Sequence, residues 1–256
     1  MGGGGYVAGP VALAALTRRI PIVLTESDSH LGLANRVLAP FARAVCLAFP
    51  IEGRSGRRYR VTGRPAAPAL ADREAARAEL GVEPGQRLVL VFGGSLGART
   101  LNEAALAGLD GASFRVLHVT GTRDWPALRE RPHGPRYDLR EYLDRDAFAR
   151  ALAACDLVVG RSGGSIFEVA SYGRPAILVP YPQAAADHQR SNAQWMERAG
   201  AAIIIADADL SGPRLAAEVG RLFDDPARLD AMARASLALA RPQAAQEVAA
   251  TILAAV

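Results

Sequence analysis

Apolar residues in this chain fall into short continuous runs separated by longer amphipathic stretches. LVLVF at 88–92 runs into a glycine-rich turn and then a helical pattern, and DLVVG at 156–160 does the same. AILVP at 176–180 instead opens into a polar loop. Runs that are apolar on both faces suit strands buried inside a parallel sheet with helices on either side. The pattern predicts strands at 20–25, 44–49, 61–63, 88–92, 115–120, 136–139, 156–160, 176–180 and 202–206. It predicts helices at 11–19, 33–41, 72–80, 100–109, 124–131, 145–154, 165–172 and 188–199, with Asp72 as an N-cap and Gly81 as a C-cap. The tail, 211–256, is alanine-rich and reads as three helical segments punctuated by Pro226 and Pro242, without a strand. This alternation argues for an α/β fold with a doubly wound parallel sheet, and right-handed crossovers gather its strand-to-helix turns at one edge. Pro65 and Pro68 break regular structure and mark a domain boundary near 63–68.

Composition narrows the class. The chain has 256 residues, 50% of them hydrophobic and 22% charged, which is the balance of a folded globular protein. Its net charge of +4 rests on arginine alone, since no lysine occurs. No dense arginine run interleaved with aromatics appears, so the expectation is no nucleic-acid partner. Cys46 and Cys155 lie in apolar runs and read as buried free thiols of a reducing compartment. His30, His118, His133 and His188 form no metal-ligand spacing, and no metal or cofactor is expected. No apolar run reaches the roughly 18–20 residues of a membrane span, so a cytoplasmic location is expected, and the basic excess would help on an anionic membrane surface.

Two glycine-rich turns carry the chemistry. Gly93-Gly94-Ser95-Leu96-Gly97-Ala98 follows a strand and precedes a helix. Glycines let backbone approach a ligand closely, and N–H groups at a helix start face an anion such as a diphosphate. The same residues spell the G-x-S-x-G elbow of a serine hydrolase, with Ser95 as nucleophile and Asp156 and His188 following in order. Phosphate binding is the favoured reading, because Asp156 begins a strand and other glycine turns recur at strand ends; a purely structural turn is the third. The second turn, Gly163-Gly164-Ser165, places Glu168 inside the next helix, where a carboxylate can accept both ribose hydroxyls. A solvated glutamate near a positive helix end is the plain alternative. Gln189 and Asn192 on the neighbouring loop favour the ribose reading, and Arg161 either faces phosphate or pairs with a carboxylate.

Taken together, GGYVAGP, GGSLGARTLNEA, RSGG-IFE-A-YGRPAILVPYP and D-HQ--NA resemble the MurG family of peptidoglycan glycosyltransferases. The resemblance implies a GT-B fold of two Rossmann-like domains with parallel sheets, the N-terminal one incomplete here. It implies transfer of N-acetylglucosamine from UDP-N-acetylglucosamine to lipid-linked muramoyl-pentapeptide (lipid I to lipid II), with inversion, at the cytoplasmic face of the bacterial membrane. UDP-N-acetylglucosamine is then a substrate and not a cofactor. By the same resemblance Ser95, Gly164, Ser165, Ile166, Glu168 and Gln189 contact the donor, and the backbone at Leu143 receives the uracil. Asp28 stands where the family has a donor-contacting asparagine. Tyr6, Asn35, Gly94, Arg161, His188 and Asn192 are secondary candidates.

Some positions depart from the family. Its nucleotide-binding arginine is replaced by Ala67, with Arg64 nearby, and Glu26 is kept from an otherwise altered loop. No strand precedes MGGGGYVAGP, so the first glycine turn of the family, with the histidine proposed as base, is expected upstream of Met1. Glu26 is then the candidate catalytic group. A chain that binds nucleotide sugar without catalysis is the alternative. The expected domains are 1–63 (acceptor side), 64–235 (UDP-sugar binding) and 236–256, a helix returning to the N-terminal domain.

Overall fold

The computed structural model describes residues 1–66, 69 and 72–255, with Tyr6 by its backbone alone. Ala67, where the family arginine is replaced, lies outside the described residues. The chain forms two compact units, Met1–Ala67 with Arg241–Val256, and Pro68–Ala240.

The first unit begins with helix α1 (Gly5–Thr17), strand β1 (Val23–Glu26), helix α2 (Leu33–Leu38), strand β2 (Ala44–Leu47) and strand β3 (Tyr59–Val61). The strands pair in parallel in the order β1-β2-β3. Helix α1 starts well before the predicted residue 11 and carries Pro10 inside it, within the stretch that reads as a glycine-rich turn. The residues before it are not merely a turn: Gly2 bridges Leu24 in parallel, donating to the Val23 carbonyl and accepting from Thr25.

The second unit contains helix α3 (Arg73–Glu79), strand β4 (Leu88–Phe92), helix α4 (Arg99–Leu109), strand β5 (Arg115–Val119), helix α5 (Trp125–Leu128), strand β6 (Tyr137–Arg140) and helix α6 (Arg145–Ala154). It continues with strand β7 (Leu157–Gly160), helix α7 (Ile166–Ser171), strand β8 (Ala176–Leu178), helix α8 (His188–Arg198), strand β9 (Ala202–Ile204), helix α9 (Gly212–Phe223) and helix α10 (Pro226–Ala238). Asp72 caps α3 as expected, accepting from the Ala75 N–H at 2.8 Å.

The strand order is β6-β5-β4-β7-β8-β9, all parallel. In chain order this is 3-2-1-4-5-6, which reverses direction between β4 and β7. Every residue of β4 and β7 is buried, which is why both read as unbroken apolar runs. On one face, Leu101, Ala105 and Leu109 of α4 and Leu215, Val219 and Leu222 of α9 close over Val89, Val91, Leu157 and Val159. Truncating one of these leucines to alanine is worth about 2–5 kcal/mol.

Helix α11 (Ala244–Leu253) belongs to the first unit, where Val248 packs on Val23, Ala44 and Cys46 and Arg60 donates to Thr251. The C-terminal boundary falls at 240/241 and not at 235/236. Residue 236 lies inside α10, and Ser236 there is fully buried, so the chain cannot part at that point. The upstream break falls at 67/68 and not 63/64: Gly63 packs on Arg241 and Ala244 of the same unit.

Candidate functional site

Both glycine turns emerge where the strand order reverses, the 93–97 turn from β4 and the 161–165 turn from β7. In an open parallel sheet the crevice for a ligand lies at this point, outside the carboxyl ends of the strands. Two adjoining hollows occupy it. A cleft of about 550 Å³ is lined by the whole 93–100 segment with Arg123, Arg161, Tyr181, Gln189 and Asp207. A second, of about 300 Å³, is lined by Gly94, Ser95, Tyr142, Leu143, Ser165 and Glu168 over an apolar floor of Phe92, Val119 and Phe148. Gly94 and Ser95 line both. The structure thus gathers Gly94, Ser95, Leu143, Ser165, Glu168 and Gln189, which lie between positions 94 and 189 of the sequence.

The 93–97 turn is held from beneath by the loop after β5. Thr122 N–H donates to the Ser95 carbonyl at 3.1 Å, Arg123 N–H to that of Leu96 at 3.4 Å, and the Arg123 guanidinium to that of Gly97 at 3.3 Å. Gly97 and Gly121 interlock: a Cβ on Gly97 would stand 2.0 Å from the Thr120 carbonyl oxygen, and one on Gly121 2.1 Å from the Gly97 nitrogen. Both have left-handed φ, +85° and +80°. Only glycine satisfies both demands.

The 161–165 turn is braced from the next loop. Ser162 Oγ donates to the Gln189 carbonyl at 2.7 Å and Asn192 Nδ2 to the Ser162 carbonyl at 3.1 Å, so Asn192, 2% exposed, shapes the turn from below. Gln189 uses its side-chain oxygen to accept from Tyr181 N–H at 3.0 Å. Ile166 is fully buried, so any contact it offers a ligand comes from its backbone. Gly164 sits in the turn between these braces. Before α8, Ala186 and Asp187 both adopt left-handed φ near +50°, a strained pair in the loop that presents Gln189.

Arg161 takes the second of its two expected roles. Its guanidinium pairs with Asp207 at 2.6 Å and donates to the carbonyls of Val179 and Pro180 and to Thr100 Oγ1, so it is anchored inside the protein. The hydrolase arrangement fails. Asp156 precedes β7, at the opposite end of the sheet from Ser95, and binds Arg73, Arg77 and Arg87. The half-buried His188 has its Nδ1 2.8 Å from the Ala185 carbonyl.

In the first unit, Glu26 is 7% exposed and its carboxylate is occupied by the loop around it. Oε1 accepts from Asp28 N–H at 3.2 Å, and Oε2 accepts from Gly32 N–H and Asn35 Nδ2, each at 2.9 Å. Asn35 also donates to the Thr25 carbonyl. Glu26, Asp28 and Asn35 are thus one hydrogen-bonded loop. Of Tyr6 only the backbone, in α1, is described. Among the described residues no group of His, Cys, Asp and Glu is placed to hold a metal ion.

A buried polar chain that the sequence did not announce lies under the 93–97 turn. His118, on β5, is fully buried, and burial pushes its imidazole down to about 3. It is therefore neutral. The Tyr137 hydroxyl stands 2.8 Å from Nδ1 and Asn102 Oδ1 stands 3.0 Å from Nε2. Asn102 Nδ2 donates to the Thr120 carbonyl and to Asp124 Oδ2, both at 2.9 Å. Because Nδ2 is the donor, Oδ1 must accept, so His118 carries its proton on Nε2 and accepts from Tyr137.

Comparison with known proteins agrees with this geometry. The C-terminal domain model of glycosyltransferase family 28 matches residues 88–248, and its N-terminal domain model matches residues 1–47. The chain belongs to glycosyltransferase family 28. It is 41% identical, over 99% of its own length and 72% of the relative's, to the UDP-N-acetylglucosamine–N-acetylmuramyl-(pentapeptide) pyrophosphoryl-undecaprenol N-acetylglucosamine transferase of Moorella thermoacetica. Identity to the protein of that name from Halothermothrix orenii is 37%, over 95% of this chain and 71% of the relative. The crystal structure of Acinetobacter baumannii MurG superposes with a TM-score of 0.81 at 29% identity, over 99% of this chain and 72% of that one. The expected MurG-type family, its GT-B architecture and its glycosyltransferase activity are those of this chain.

Proposed function

We propose that this glycosyltransferase takes N-acetylglucosamine from UDP-N-acetylglucosamine and passes it to lipid-linked muramoyl-pentapeptide. The observation that carries the reading is the meeting of both glycine turns at the sheet's reversal point, with Ser95, Leu143, Ser165 and Glu168 around one hollow. In this reading the apolar floor by Leu143 takes the uracil and Glu168 the ribose hydroxyls. The diphosphate lies along the 93–97 turn, where N–H groups stabilise the leaving charge. Gln189, at the rim of the larger cleft, faces the sugar.

Glu26 shapes its loop in this account and does not take the acceptor's proton. A general base must reach the acceptor's hydroxyl, and this carboxylate is buried and held in place by three internal donors. The acceptor is lipid-borne, and α1 exposes Val7, Val11 and Leu13 on a helix followed directly by Arg18 and Arg19. Apolar side chains beside cations suit an anionic membrane surface, and peripheral attachment there is part of the proposal.

The test is transfer of labelled N-acetylglucosamine from its uridine diphosphate to lipid-linked muramoyl-pentapeptide in vesicles. Glu168→Ala is expected to cut kcat/KM by about tenfold or more, on the scale of one lost charge-assisted hydrogen bond. Donor binding without any transfer by the parent chain would leave only the nucleotide-sugar-binding alternative. Esterase turnover that vanishes in Ser95→Ala, with UDP affinity unchanged, would overturn the reading altogether.

A further inference from the structure

Three arginines line the larger cleft, Arg99, Arg123 and Arg161. Arg161 is anchored by its ion pair to Asp207 and by Thr100 and two carbonyls. Arg99 and Arg123 differ, with side chains 76% and 55% exposed, and they share one carboxylate: Arg99 Nη2 and Arg123 Nε each stand 3.6 Å from Asp124 Oδ1. That oxygen is buried and has no hydrogen-bond partner. Two guanidinium groups against a single carboxylate leave one positive charge in excess, next to the cleft and not inside the fold.

The carboxylate's own position is fixed from below. Tyr137 donates to His118, His118 to Asn102, and Asn102 to Asp124 Oδ2. Each link has one possible direction, so the chain allows Asp124 one orientation, with Oδ1 turned toward the arginines. Arg123 is tied to the glycine turn as well, through the Gly97 carbonyl. Arg99 is the first residue of α4, and no acidic residue lies in that helix's first turn. A cation at a helix N-terminus opposes the helix dipole. An anion between Arg99 and the turn removes that conflict, and Asp124 alone relieves it from one side only.

We infer that Arg99 and Arg123 are the cationic contacts of the diphosphate at the 93–97 turn, with Asp124 as the positioning residue that sets them. The inference rests on the donor site proposed above and adds to it a pair of binding residues and the buried chain that orients them. Guanidinium groups bind phosphate oxygens through several donors at once. Tethered to Asp124, they meet the ligand with less ordering left to do.

The experiment is calorimetric titration of the full chain with UDP and, separately, with uridine, which lacks the phosphates. The double variant Arg99→Ala with Arg123→Ala is expected to weaken UDP about tenfold or more while leaving uridine unchanged, on the scale of a lost charge-assisted contact. Its UDP affinity should also depend less on salt than the parent's. Asp124→Asn keeps both cations but frees them, and is expected to weaken UDP by about threefold or more relative to uridine. The inference is overturned if the double variant loses less than about threefold for UDP, or loses uridine in equal proportion. Failure of the parent chain to bind UDP at all is a different result and falls on the donor site itself. Both arginines are largely exposed, and an unchanged melting temperature with retained uridine binding verifies that the variant is folded.

Discussion

The two ends of the six-stranded sheet use the same residue types for opposite purposes. At the amino ends of the strands, Asp156 accepts from Arg73 at 2.8 Å and meets Arg77 and Arg87 at 3.4 Å. Arg73, Arg77 and Arg174 also donate to the carbonyls that end α6 and follow it, those of Ala153, Ala154 and Cys155. These cations sit where a helix's negative end wants them, tied to backbone carbonyls inside the fold. At the carboxyl ends, Asp124 also faces two arginines, but these are exposed, stand farther off and border a cleft. The clasp and the proposed binding site differ in that the clasp's Arg73 and Arg77 are also tied to backbone carbonyls of the α6 end, whereas Arg99 and Arg123 stand largely exposed beside the cleft. Counting arginines or acids in the sequence cannot make that distinction.

The contrast can be attacked from either end. The largest effect belongs to the clasp: Asp156→Ala leaves the nearly buried Arg77 without its carboxylate and is expected to cost about 3–5 kcal/mol in urea melts. UDP-sugar affinity of the protein that remains folded should stay unchanged, and a selective loss of affinity would erase the distinction between the two ends. Gly97→Ala attacks the other end. A Cβ there collides with the Thr120 carbonyl at a left-handed φ, so stability should fall by about 3 kcal/mol. Here donor affinity should fall as well, by more than about tenfold, because the turn itself is displaced.

The buried histidine makes the site's support sensitive to acid. His118 stays neutral in the fold down to about 3, whereas in the unfolded chain it gains a proton near its ordinary value of about 6.5. Below that value the unfolded state binds more protons, so this contribution to stability is full above about pH 6.5 and is lost as pH falls toward 3. At pH 5 the loss is about 2 kcal/mol. A pH series of urea midpoints should show it, and His118→Gln should flatten that slope between pH 7 and 5. Smallest is Ser95→Ala, which removes one hydroxyl at the rim of both hollows and is expected to weaken UDP-N-acetylglucosamine by about fivefold with the melting temperature unchanged.

Much of the second unit was legible beforehand, for a physical reason. Strands buried on both faces must be continuously apolar, and β4, β7 and β8 announce themselves that way. Their positions in turn located the glycine turns. Less visible were residues whose role depends on distant partners. Asn102, His118 and Asp124 come from α4, β5 and the loop before α5, and they share no motif spacing. The one available signal was a histidine inside the run RVLHV, which reads equally well as an ordinary buried side chain. Asp124 was expected to begin a helix reaching residue 131, but its carboxylate turns inward and the α-helix is confined to Trp125–Leu128. Glu26 invited a catalytic role as the titratable group kept from the family's loop, and its three partners, two backbone N–H groups and an amide nine residues away, share no motif that would have shown it tethered.

The central claim is that the carboxyl-end cleft of the second unit holds a nucleotide sugar through its base, ribose, diphosphate and sugar in turn. Calorimetric titration of the full chain with UDP-N-acetylglucosamine, UDP-glucose, UDP and uridine tests it most directly. The account predicts affinity that falls in that order, and a Glu168→Ala variant that weakens all four. Equal affinity for uridine and UDP, or no saturable binding of UDP-N-acetylglucosamine, would contradict it.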